Sequence, residues 1–123
     1  MDRTWLALGS ILMFLAVALG AFGRHALKAR LSPEMLETFE IATRYLVYHA
    51  LALIAVSLLA PRTGAVVQIA GVLFAAGIVI FSGSLYALAL TGTRWLGAIT
   101  PIGGLLLLAG WLALVWAAVV AGT

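Results

Sequence analysis

The chain has no cysteine. Disulfides and thiolate metal sites are therefore excluded, and no redox compartment is indicated. Charge is almost as scarce. Only 9% of the 123 residues are Asp, Glu, Lys or Arg, against roughly a quarter in a soluble domain. Aspartate occurs once, as Asp2. No Ser-His-Asp set can be assembled beyond that position, and Gly83–Ala87 (GSLYA) lacks the nucleophile-elbow pattern. Net charge is +3 and the pI about 10.0. The basic residues are nevertheless few and scattered, so no basic face offers a footprint for nucleic acid.

What fills the chain instead is aliphatic. Hydrophobic residues make up 65% of it, and the mean hydropathy is +1.21. Too few polar groups remain to cover a surface in water, so lipid is the expected solvent. The length suits one domain, residues 1–123. Four apolar stretches, at about 5–23, 45–60, 64–90 and 101–121, are long enough to cross a bilayer as helices. The expected fold is all-α, an integral membrane four-helix bundle. The first stretch also resembles a signal-peptide core, with Ala18-Leu19-Gly20 as a cleavage-like site. Asp2 and Arg3 cancel in its head region, so it reads as a retained span. Thr100-Pro101 reads as the cap and first residue of the last span.

Seven of the eleven charged residues, and both histidines, fall between Gly23 and His49. Ser32-Pro33-Glu34 begins a helix there, with Met35, Leu36, Phe39, Ala42 and Leu46 on one face. This amphipathic segment lies between spans one and two, and a single helix from about Pro33 to Ala60 is expected. Glu40 and Arg44 stand at i,i+4 in the favourable order for a pair. The loops 24–44 and 91–100 carry Arg24, Lys28, Arg30, Arg44 and Arg94, against Arg3 and Arg62 on the other face. The excess predicts cytoplasmic loops and outward termini in the inner (plasma) membrane.

Polar residues inside the spans gather toward the loop face. Tyr45 and His49 open span two, Ser82, Ser84 and Tyr86 close span three, and Thr100 opens span four. Buried in lipid, such groups turn inward and pair. They form the candidate ligand-binding set, with His25 at its edge. A structural histidine bonded to a neighbouring helix is the simpler reading of His49, and a proton-relay or ligand-binding histidine is the sharper one. Bis-histidine haem needs both rings inward, and His25 sits at the margin. A metal held with Glu37 or Glu40 has no motif spacing. The sequence thus indicates no catalytic set, no metal and no cofactor. Small-residue series, Ala109/Ala113/Ala117/Ala121 and Gly83/Ala87 among them, suit close helix packing and a possible homo-oligomer. Trp5, Trp95 and Trp116 read as interfacial anchors and Trp111 as deeper packing.

The segments GAFGRHAL (Gly20–Leu27), RYLVYHALAL (Arg44–Leu53), FSGSLYALALTG (Phe81–Gly92), TPIGG (Thr100–Gly104) and GW (Gly110-Trp111) occur in order along the chain. With them the chain resembles the bacterial domain-of-unknown-function family 423, akin to transmembrane-protein-256-like proteins. The resemblance implies a small inner-membrane protein and supplies no catalytic residue. Arg24 stands where the family more often has a small residue. Leu46 stands where a glutamine is common, which makes the polar set drier. Three functions stay open: binding of membrane lipid, quinone or another small amphiphile, including service as a partner subunit; an oligomeric channel or transporter using His49; and a membrane enzyme with histidine as base and tyrosine as acid.

Overall fold

A computed structural model describes residues 1–121, with side chains through Val120. Among the described residues four helices are long and apolar enough to cross a membrane: α1 (Arg3–Leu27), α2 (Pro33–Thr63), α3 (Ala65–Thr91) and α4 (Thr100–Ala121). The protein is an all-α integral membrane bundle, as its hydropathy implies. Helix α1 is regular to Ala18, widens into a π-type turn over Leu19–Gly23 and regains α geometry over Arg24–Leu27. A 3-10 turn, Arg94–Ala98, leads into α4.

Local chemistry sets most helix ends. Asp2 caps α1, its carboxylate accepting from the Thr4 and Trp5 amides at 3.0 and 3.3 Å. Ser32 caps α2 by accepting from the Met35 amide, with Pro33 in the first turn where its missing N–H costs nothing. Gly64 (φ 72°) makes the turn into α3, and Gly92 (φ 71°) ends α3 in the left-handed region. Thr100 departs from its expected cap role. The turn before it already bonds into α4, Ile102 donating to Ile99, so the Thr100 hydroxyl reaches Ser84 instead.

Helix α2 runs unbroken from the amphipathic segment into the membrane and continues past Pro61 to Thr63. Proline there deletes only the N–H that would have bonded the Ser57 carbonyl. That carbonyl accepts the Asp2 N–H at 2.7 Å instead. The Asp2 carboxylate also accepts from Gln68 Nε2 at 2.9 Å, and Gln68 Oε1 accepts from the Trp5 indole at 2.7 Å. The start of α1 is thus tied to both α2 and α3, and Trp5 is a hydrogen-bonded wedge as well as an interfacial ring. The Gln68 donor, opposed by partial desolvation, holds the Asp2 carboxyl below its usual range.

The core lies along α2 and α3, with Leu53, Val56, Val67 and Phe74 fully enclosed. Helix α1 packs mainly on α2, and α4 packs mainly on α3. The bundle is therefore open rather than square. Its two outer helices present Ile11, Phe14, Val17 and Phe22, and Leu105, Leu112, Val115 and Val119, to lipid. The α3–α4 seam is tight because α4 lacks side chains where it matters. A Cβ at Gly103 would stand 2.3 Å from the Phe81 nitrogen, and one at Gly110 would stand 2.6 Å from the Phe74 ring. Ala117 is buried and Ala113 packs on the core, so the α4 alanine series serves internal packing, while Gly83 faces open space. Ala121, the last of that series, lies outside the described side chains.

Candidate functional site, an aromatic groove between α2 and α4

Helices α2 and α4 barely touch, and the space between them is a groove of about 670 Å³. Tyr45, Tyr48 and His49 form the α2 wall, Phe81 of α3 contributes to the lining, and Pro101, Gly104, Leu105, Leu108 and Trp111 form the α4 wall. The ring set is continuous. Tyr45 packs on Phe81 at 4.8 Å between centroids, lies parallel to His49 at 6.2 Å and meets Tyr48 edge-on. Phe74 joins His49 to Trp111 from below. Gly110 admits the Phe74 ring, and the next residue places the Trp111 indole over His49.

His49 is 4% exposed, and both ring nitrogens are engaged. The Trp111 indole N–H donates to Nε2 at 3.0 Å. An indole nitrogen can only donate, so Nε2 must be the unprotonated nitrogen. Nδ1 therefore carries the hydrogen and donates to the Tyr45 carbonyl at 2.7 Å. The arrangement defines a neutral imidazole of one tautomer. A proton added at Nε2 would set two donors against each other, so His49 can act as a base only after Trp111 moves.

The other expected site residues lie on the same half of the bundle but do not share the groove. Ser82 donates to the Ala42 carbonyl of α2 at 2.9 Å. Tyr86 and Thr43 share a bond of 2.6 Å, and Thr43 in turn donates to the Phe39 carbonyl. Ser84 and Thr100 share another of 2.6 Å between α3 and α4. These hydroxyls lace helices together, since an unpaired hydroxyl in lipid is costly. None of the four lines the groove, so only Tyr45 and His49 of the expected pocket set do. His25 is exposed at the end of α1 and belongs to the surface.

Three participants were not in the expected site. Trp111 had read as packing, Tyr48 stood inside the RYLVYHALAL segment beside His49 without joining the ligand-binding set, and Thr43 was not singled out. The available signal for Trp111 was the seven-residue spacing of Gly103 and Gly110, which marks the α4 face against α3. The charge pairing also differs from expectation. Glu40 pairs with Arg24 at the end of α1, rather than with Arg44 on its own helix. Arg44 is left exposed, with no carboxylate partner among the described residues.

A UPF0382 membrane protein of Staphylococcus epidermidis is 49% identical to the chain over 113 residues, covering 92% of this chain and 93% of the relative. The UPF0382 membrane protein YwdK of Bacillus subtilis is 44% identical over 119 residues, covering 95% and 97%. No solved structure matches the chain. The family described as "Protein of unknown function (DUF423)" matches residues 19–104, which include Tyr45, Tyr48, His49, Phe81 and Gly104 of the groove. Its match and these relatives agree over most of the molecule, and the chain belongs to the DUF423 family of membrane proteins.

Proposed function

We propose that this small integral membrane protein binds a lipid from the surrounding bilayer, laying an apolar tail into the groove between α2 and α4. The observation that carries this reading is the groove itself: about 670 Å³, walled by Tyr45, Tyr48, His49, Leu105, Leu108 and Trp111. Its size is that of a small-molecule pocket, and its walls are mainly apolar and aromatic with a few fixed polar groups. His49 and Trp111 satisfy each other, so at their depth the wall presents ring faces rather than an unpaired donor. That suits a hydrocarbon or isoprenoid tail better than a polar solute. The protein resides in the plasma membrane with loops 24–44 and 91–100 in the cytoplasm and termini outside; the excess of basic residues on the loops supports this.

Filling the groove tests the proposal. A Cβ at Gly104 would meet Phe81 at 3.7 Å, an ordinary contact. Gly104→Leu should therefore fold and place its side chain where the tail would lie. Native mass spectrometry of protein released from its own membrane should show lipid on the wild type and little on the variant, at similar melting temperature. Equal lipid on both would reject the groove as a binding site.

A further inference from the structure

We infer that a second lipid site lies on the other side of α2, where Arg24 and Arg44 hold the phosphate of an anionic phospholipid head. The site is a depression of about 250 Å³ between α1 and α2, separate from the groove and lined by Gly20, Arg24, Phe39, Glu40, Thr43 and Arg44. Sequence spacing builds it. Glu40, Thr43 and Arg44 follow at i, i+3 and i+4 on one face of α2, and Gly20 and Arg24 stand four apart across the π-type turn of α1. Glycine lets the two helices approach here. A Cβ at Gly20 would stand 3.5 Å from the Thr43 methyl, and one at Gly23 would press to 2.9 Å from the Phe39 ring. The Thr43 hydroxyl is committed to the Phe39 carbonyl and to Tyr86, so the charge of the depression comes from its rim.

That rim carries two guanidiniums and one carboxylate, which leaves one positive charge in excess. Glu40 pairs with Arg24, but the Arg24 side chain is 51% exposed and that of Glu40 35%. A pair this open to solvent is weak, so a phosphate can share Arg24 with Glu40. Arg44 has no carboxylate partner among the described residues, and Glu34 is taken up by Arg94 at 3.5 Å. Depth argues for a lipid. The exposed residues of α1 change at this level from Val17 and Phe22 to Arg24, His25 and Lys28, so the depression lies where the apolar span meets the headgroups. Guanidinium matches a phosphate in shape and charge. A head of net negative charge balances the depression, whereas a zwitterionic head brings its own cation against the arginines.

A head held on so open a rim exchanges during extraction, so the site is read with lipid added back. The full chain, delipidated in detergent, is titrated with phosphatidylglycerol and with phosphatidylcholine of matched tails. Native mass spectrometry gives a dissociation constant for each, in wild type and in Gly104→Leu, where the groove is filled. In both proteins the anionic lipid should bind at least about fivefold more tightly, the effect of one uncompensated arginine at a membrane surface. Arg44→Gln should bring the two constants together. Glu40→Gln should widen the gap by about fivefold, because it releases Arg24; a purely structural ion pair would give no such gain. Arg30→Gln removes an exposed basic residue outside the depression and should change nothing. Glycerophosphoglycerol, the same head without tails, should not displace the lipid at equal concentration. The inference falls if wild type binds the two lipids equally, if Arg44→Gln keeps the preference, if Glu40→Gln fails to raise it or if Arg30→Gln loses as much. Displacement by the tail-free head would make the site one for soluble phosphodiesters and overturn the lipid. A preference that disappears in Gly104→Leu would move the anionic lipid to the groove and overturn the α1–α2 site.

Discussion

His49 decides how the α2–α4 contact is read. With so little direct packing between these helices, the Trp111–His49 hydrogen bond is the polar tie across the groove. Interhelical hydrogen bonds in membranes contribute about 0.6 kcal/mol on average and rarely more than about 1.7. A double-mutant cycle of His49→Leu and Trp111→Phe, unfolded reversibly in mixed micelles, should give a coupling of about 0.5–1.5 kcal/mol. Single changes should cost more than the coupling, because His49→Leu also removes a ring packed on Phe74 and Trp111→Phe leaves a smaller ring there. A coupling near zero would remove the bond from the account. At this scale the sequence was partly legible. It marked His49, Ser82 and Ser84 as inward-facing, because polarity in an apolar run is visible in one dimension. It did not mark partners, because Trp111 lies 62 positions from His49 and meets it only through the rotation of two separate helices.

Elements were more legible than their ends. Hydropathy marked four helices, and Ser32-Pro33-Glu34 marked the start of α2. Pro61 read as the end of a span, yet the helix passes through it, because proline removes one donor and the freed carbonyl finds another. That exchange makes Pro61 an anchor for the N-terminus. Pro61→Ala restores an amide that competes with Asp2 for the Ser57 carbonyl. Helix propensity favours alanine here, so α2 should not suffer. The start of α1 should loosen, losing a hydrogen bond of about 0.5–1.5 kcal/mol. Hydrogen exchange checks it: the Asp2 amide should exchange faster in the variant, while amides in the middle of α2 keep their protection. Unchanged Asp2 exchange would mean that the carboxylate and Gln68 alone hold the end of α1.

For the whole molecule, length and hydropathy carry the number of spans but not which spans touch. The small-residue series gave only a hint of tight seams: Ala117 of α4 is buried, Gly83 of α3 faces open space, and the closest α3–α4 approach falls at Gly103 and Gly110, outside the series. Nothing in one dimension distinguishes a closed bundle from one in which α1 and α4 are outer helices, because all four spans carry strongly apolar windows. That openness creates the groove, and the groove gives orientation a functional meaning. Tyr45 and Tyr48 lie at the loop-face end of the groove, so the orientation decides which leaflet supplies the proposed lipid. Five basic residues on the loop face against two on the other predict that this leaflet is the cytoplasmic one. A reporter active only outside the cytoplasm, fused after Thr123 beyond the described residues, should therefore be active. The same reporter placed in the loop near Arg30 should be silent. A cytoplasmic C-terminus would move the lipid supply to the outer leaflet.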